Sequence, residues 1–340
     1  MRRSPTTAPA RLASGTAFAL AAGLLWGLVF VAPLLLPEYP PVLLSLGRYL
    51  SFGLIALPLA WWSRQRLAAL TRADWTEAVK LAAVGNLVYY LFLASAIQRA
   101  GAPLPTMVIG SLPVVIAVCA NLRDVRRDGR IAWRAMAPSL LAIGCGILFV
   151  NHAETAASSP GGAAADRAIG ALLALVALAC WTWYPLRNAD WLRAHPDRSP
   201  TTWATAQGVA TLPLALLGGA GYWLWTALVQ PSDPMLTDIG GWSVPLGPRP
   251  LEFVGLMLAM GLLASWLGTL CWNEASQRLP TALVGQLIVF ETLAALAYAF
   301  VLRGHAPGVL TLAGIGMLVA GVVWAVRIRP EPVAAQAQPG

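Results

Sequence analysis

Ala56-Leu57-Pro58-Leu59-Ala60 recurs as Thr211-Leu212-Pro213-Leu214-Ala215, 155 residues further along the chain. The same shift takes Trp26 to Trp181 and Gly53 to Gly208. A shift of 179 takes Ala96, Gln98 and Arg99 to Ala275, Gln277 and Arg278, and one of 170 takes Gly144 and Gly146 to Gly314 and Gly316. Leu and Ala coincide by chance in any apolar sequence, so the Trp, Gly, Pro and Gln-Arg matches carry the argument. Each change of offset falls in a connection between apolar stretches. Five such stretches in the first half are followed by five in the same order in the second. An odd number of spans per repeat sets the two halves in opposite orientations across a membrane, the arrangement that alternating-access transporters build around a midplane site.

Composition agrees. Of 340 residues, 58% are hydrophobic and 11% charged, with a mean hydropathy of +0.65, whereas soluble domains carry about a quarter charged residues. The apolar stretches cover 16–36, 42–62, 78–98, 103–121, 131–150, 168–186, 201–229, 251–273, 280–301 and 306–326. Each approaches the roughly 20 residues that a helix needs to cross the hydrocarbon. Lipid offers no partner to an open backbone group, so the spans are helices. The expected fold is therefore an all-α membrane protein, ten transmembrane helices arranged as two inverted five-helix repeats around a central cavity.

A net charge of +8 would suit nucleic acid if it were spread over one face. Here it sorts by side of the membrane. With the N-terminus inside, the inner segments hold 16 of the 23 Lys and Arg and the outer ones four, Arg99, Arg167, Arg249 and Arg303. Arg48, Lys80 and Arg134 fall within spans. This asymmetry places both termini in the cytoplasm of a multi-pass cell-membrane protein and excludes nucleic acid as partner. Residues 1–15 read as a disordered cytoplasmic start, 16–150 as the first repeat, 151–167 as a flexible outer linker rich in Ala, Ser and Gly, 168–326 as the second repeat and 327–340 as a cytoplasmic tail. An outer connection at 230–250 carries Trp242 to the interface. Cys119, Cys145, Cys180 and Cys271 lack metal-ligand spacing and read as small buried residues. No metal, cofactor or second subunit is expected.

Polar groups within spans are costly and turn toward the bundle interior. Asn86 and Tyr90 lie four apart and share a face of a regular helix, beside Tyr89. Their mates at offset 179 are Ser265 and Thr269. Ser111, in the fourth span, and Gln286 with Glu291, in the ninth, extend the set. Trp26, Trp181 and Tyr184 offer ring faces, each stacking contact with an aromatic ligand contributing about 1 kcal/mol. These residues are the expected substrate contacts, helix-to-helix hydrogen bonding being the other reading for Ser, Thr and Asn. Three roles are open to Glu291: counter-charge to a substrate ammonium, proton carrier, or brace to neighbouring hydroxyls. Arg48 reads as snorkelling toward the outer interface, since Trp203, uncharged, stands at the matching place in the second half; a substrate-carboxylate contact is the other reading. Pro58, Pro113, Pro138, Pro185 and Pro213 are candidate bends. The glycines of the fifth and tenth spans suit tight packing.

Two five-span repeats, Arg48 early in the second span, Ala-Ser-Gln-Arg-Leu-Pro at 275–280, Glu291 and the Gly-x-Gly of each closing span together resemble the drug/metabolite transporter superfamily, EamA type, over residues 16–326. The likeness extends to bacterial exporters of aromatic amino acids. It implies a small-molecule exporter of the inner membrane, acting as a monomer in lipid. Proton-coupled small multidrug exporters of that superfamily carry a glutamate in the first helix. Here the first span has no acid, so facilitated transport is expected. Export of another amphipathic metabolite or drug is the alternative. An intramembrane enzyme is disfavoured, because no nucleophile–base pair lies within the spans.

Overall fold

The computed structural model describes residues 8–100, 103–123, 132–157, 164–229, 247–304 and 306–328. Among them every regular element is helical. Seven helices are long and apolar enough to cross a membrane, and the shorter apolar helices Trp133–Phe149 and Val309–Ala325 lie beside them. In chain order, α1 (Ala8–Gly27) passes through one turn of 3-10 helix into α2 (Ala32–Leu35), and α3 (Pro41–Trp62) returns. After α4 (Arg64–Ala68), α5 (Arg72–Lys80) opens with a Thr71–Asp74 capping box and runs through a π-helical segment, Leu81–Val88, into α6 (Tyr89–Ala100). Next come α7 (Pro103–Gly110), α8 (Leu112–Arg123) and α9 (Trp133–Ala157).

The second half begins with α10 (Ala164–Ala194) and α11 (Pro200–Val229). Then α12 (Pro250–Met260) runs through a second π segment, Gly261–Leu267, into α13 (Gly268–Arg278). The chain closes with α14 (Thr281–Leu287), α15 (Val289–Arg303) and α16 (Val309–Arg327). Four helices start on proline, where the missing N–H is an orphan in any case. Gly304, at φ +65°, ends α15 in the left-handed conformation that glycine adopts without strain.

Helix pairing follows the small residues. On α3, a Cβ at Gly53 would lie 2.6 Å from the Leu212 Cβ, and on α11 one at Gly208 would lie 2.6 Å from the Ala56 Cβ. These two glycines face each other's helices at one crossing, which admits no larger residue on either side. Similarly, α9 packs along α16, with Gly146 against the Gly314 carbonyl and Gly321 against Ile143. Gly144 and Gly316 face open space instead. Further pairings set α1 against α13 and α15, and α10 against α6 and α7.

The structure departs from expectation in three places. First, α1 begins at Ala8, inside the stretch read as disordered. Second, the linker is shorter than 151–167: α9 continues to Ala157 and α10 begins at Ala164. Alanine, read there as a mark of flexibility, is the strongest helix former. Third, the spans are interrupted at places other than Pro58, Pro138, Pro185 and Pro213, which lie inside helices. Pro113 sits in the first turn of α8, two residues after the break at Ser111, and the other irregularities are the 3-10 turn Leu28–Phe30, Ile288 and the two π segments. Residues 1–7, 158–163, 230–246 with Trp242, and the tail from 329 lie outside the described residues.

Candidate functional site

Three close approaches bring the site together. Gly23 on α1 lets the Glu291 backbone come within 2.9 Å of where a Cβ would stand, and Gly27 does the same for Ala295. Gly268 admits the Trp26 indole. Gly85, in the first π segment, leaves the space the Tyr184 ring occupies. The rings then form a continuous cluster. Trp26 meets Trp181 edge-on at 4.9 Å between centroids and Trp272 at 5.1 Å. Trp181 is stacked between Tyr89, at 4.5 Å, and Tyr184, at 5.1 Å. All five rings are buried.

Opposite charges stand at this cluster. Arg48, on α3, is only 3% exposed. Its Nε donates to the Ser265 hydroxyl at 3.0 Å. Its guanidinium lies over the Tyr90 ring at 4.8 Å and the Tyr49 ring at 4.9 Å. A lysine or arginine that snorkels keeps its head in water; this one is enclosed by α3, α6 and the second π segment. The expected snorkelling of Arg48 is therefore corrected. Its contact with Ser265 spans 217 positions of chain, which no local pattern reveals. Glu291 is 4% exposed. It lies in the first turn of α15, where the amide ends of a helix favour negative charge. The Trp181 indole N–H faces its carboxyl, short of a well-formed hydrogen bond, and Tyr89 and Arg48 are within its electrostatic reach.

Several polar atoms here are buried without a hydrogen-bond partner: Arg48 Nη1, Glu291 Oε1, Tyr89 OH, Trp181 Nε1 and Trp272 Nε1. Among the described residues Arg48 and Glu291 form no ion pair with each other or with any other group. An unmet buried group costs about 1–3 kcal/mol, more when charged. Such atoms call for a partner, water or ligand, that the protein itself does not supply.

The remaining expected residues divide. Trp26, Tyr89, Trp181, Tyr184 and Glu291 come together as described, and Ser265 joins them through Arg48. Tyr90 belongs to the cluster as a platform for Arg48, its hydroxyl donating to the Val29 carbonyl at 3.3 Å. Asn86, in the first π segment, donates to Thr211 at 3.4 Å and so is tied to α11 rather than to the rings. A polar chain continues from there: Thr211 donates to the Gln207 carbonyl, Tyr184 OH to Gln207 Oε1 at 2.8 Å, and Gln207 Nε2 to Asn188 Oδ1 at 3.2 Å. Asn188 in turn donates to Asn273 at 2.8 Å. Thr269 lies beside the Tyr184 hydroxyl.

Ser111 donates to its own Val108 carbonyl at 2.7 Å, sealing the break between α7 and α8. Gln286 accepts from Ser139 at 2.6 Å, which ties α14 to α9 away from the rings. Arg48 and Trp272 are the residues that sequence reasoning left out of the site. Ser45, Arg48 and Ser51, three apart on α3 and all buried, form the polar stripe that could have signalled the first.

Each end of the bundle is fastened. At the end where α3 begins, Arg249 Nε donates to Glu38 at 2.6 Å and its Nη1 to Glu252 at 2.8 Å, while the Tyr39 hydroxyl accepts from the Arg249 N–H at 2.9 Å. The Arg249 hydrogen bond holds the Glu38 carboxyl below the usual range for glutamate. At the opposite end Arg187 is paired with Glu77, Trp191 donates to Asp74 at 3.0 Å, and Arg123 is 2.9 Å from Asp190.

Residues 13–151 match the EamA-like transporter family. Over 320 residues the chain is 55% identical to the inner membrane protein YtfF of Escherichia coli (strain K12), covering 94% of this chain and 96% of that protein. A solved crystal structure superposes with a TM-score of 0.67 at 19% identity, over 92% of this chain and 96% of the other. That likeness concerns the fold.

Proposed function

The chain belongs to the EamA-like transporter family, and we propose that it exports aromatic or hydrophobic amino acids across the inner membrane by alternating access, without an obligatory proton. The observation that carries this reading is the buried cluster of Trp26, Tyr89, Trp181, Tyr184 and Trp272, with unmet N–H and O–H groups among its rings. Clustered rings and donors without a partner suit a molecule that is part ring and part polar.

Ten spans in two inverted repeats provide the motion. Several features support that architecture. The two π segments start 180 residues apart (81 and 261), one position from the sequence offset. Breaks at Ser111 and Ile288 interrupt the fourth and ninth spans, and broken helices at matching places of two halves are where such transporters hold substrate. The mates Trp26 and Trp181 touch, as do the helices of the mates Gly53 and Gly208. With both termini cytoplasmic, the Arg249 fastening closes the periplasmic end and the Glu77–Arg187 pair the cytoplasmic end. Substrate transfer requires each to open in turn. The absence of an acid in the first span favours a facilitative mechanism, export following the substrate gradient.

Counterflow of tritiated L-phenylalanine into proteoliposomes preloaded with unlabelled substrate tests this. Accumulation in the absence of a pH gradient, reduced in Trp181→Ala and Tyr89→Ala proteins that fold and insert normally, is the expected result. No accumulation of phenylalanine, tryptophan or leucine would overturn the substrate class, and accumulation only under an imposed pH gradient would overturn the facilitative mechanism.

A further inference from the structure

We infer that the central site is a two-pole clamp for a free α-amino acid, in which Arg48 takes the substrate carboxylate and Glu291 its ammonium while the ring cluster receives the side chain. This deepens the transport reading above and rests on it for the location of the site. Three observations lead to it. An arginine and a glutamate are both buried in a low-dielectric interior, yet among the described residues they form no ion pair. Each also keeps one atom unmet, Nη1 on Arg48 and Oε1 on Glu291. Finally, the unmet atoms of Tyr89, Trp181 and Trp272 lie in the ring cluster beside them.

A buried charge without a counter-ion is expensive, and two of opposite sign would lower their energy by meeting. Here each is held by its own surroundings. Arg48 is fixed by Ser265 and by the faces of Tyr49 and Tyr90, and Glu291 by the start of α15 against Gly23 of α1. Each group keeps one polar atom unmet at the ring cluster. A zwitterion supplies a carboxylate to one end and an ammonium to the other, so its binding adds no net charge to the membrane interior. A monopole cannot satisfy both. A carboxylic acid meets Arg48 but brings its charge against Glu291, and an amine does the reverse. Neutral drugs leave both poles unmet. The specificity is thus for unmodified amino and carboxyl groups, independent of which ring or chain follows.

The test uses purified full-length protein and ligand-dependent thermal stabilisation, titrated with L-phenylalanine, 3-phenylpropionate, 2-phenylethylamine, L-leucine and L-alanine. Charge-assisted hydrogen bonds of the usual strength predict that phenylalanine binds roughly 10- to 100-fold more tightly than either analogue lacking one pole. In Glu291→Gln, phenylalanine weakens by that factor while 3-phenylpropionate tightens, because the repulsion is gone. In Arg48→Gln, phenylalanine weakens likewise and 2-phenylethylamine tightens. Equal binding of phenylalanine and both analogues by the wild-type protein would overturn the clamp and leave the ring site standing, even if neither variant folds. Alanine binding as tightly as phenylalanine would leave the clamp and overturn the aromatic preference. Failure of every ligand to bind would overturn both.

Discussion

Arg48→Met separates a charge kept for binding from one kept for stability. The substitution removes the Ser265 hydrogen bond, 3.0 Å long, and contacts with two rings at 4.8 and 4.9 Å. A hydrogen bond to a charged group contributes about 1.5–3 kcal/mol, and each desolvated cation–π contact about 2 kcal/mol. The loss is therefore roughly 5–7 kcal/mol. Against it stands the cost of burying a guanidinium that has no counter-ion and one unmet N–H, which is several kcal/mol and disappears in the variant. Methionine is flexible and fills the vacated volume. The two sums nearly cancel, leaving a change within about 2 kcal/mol of zero, or a shift of no more than about 5 °C at the common rate of a few degrees per kcal/mol. Scanning fluorimetry of the purified protein reads the midpoint, and phenylalanine counterflow reads transport. The expected result is a near-normal midpoint with transport abolished. A fall of ten degrees or more would make Arg48 a structural pillar, and unimpaired counterflow would remove it from the site.

At the α3–α11 crossing, Gly53→Leu forces the new side chain into Leu212 and should cost about 1–3 kcal/mol in thermal midpoint. Gly221→Ala, where nothing stands within 4 Å, should be neutral or stabilising by up to about 1 kcal/mol; equal effects would refute the packing account. The lowered carboxyl of Glu38 contributes stability above the ordinary glutamate pKa and loses it as pH falls through the depressed value. Wild-type protein should thus lose an increment of midpoint between pH 6 and 3 that Glu38→Gln lacks, and parallel curves would contradict the Arg249 contact. Single cysteines at 2–7 and 331–340 should be labelled from the cytoplasm and those at 155–165 and 232–246 from outside, with any exchange of sides undoing the inverted repeats.

How much was legible in the sequence depends on the range of the interaction. The starts of α3, α7, α11 and α12 follow from proline and apolar run length, which act locally. The meeting of Trp26 and Trp181 joins two residues that share a sequence offset, which singled them out without saying that they touch. Glu291 stood out as an acid far from either end of an apolar run. Arg48 did not. Its burial depends on Ser265 and Tyr90, on other helices, whereas the snorkelling reading rested on the uncharged Trp203 at the matching place of the second half. Asn86 shows the opposite failure. Its side chain is interior as read, but spacing along one helix does not say that its partner is Thr211, 125 positions away. Gln286 accepts from Ser139, 147 residues away, while its Nε2 is buried without a partner; a polar residue in a span does not say which partner it has.

The central claim is that substrate crosses by opening of the Arg249 end about a closed centre. A protein with Cys119, Cys145, Cys180 and Cys271 replaced, and carrying Glu38→Cys with Arg249→Cys, tests it when bridged by a reducible bis-maleimide. The account predicts that the bridged protein in proteoliposomes loses phenylalanine counterflow and regains it when the linker is reduced. Counterflow that continues at the unbridged rate with the bridge complete would contradict it.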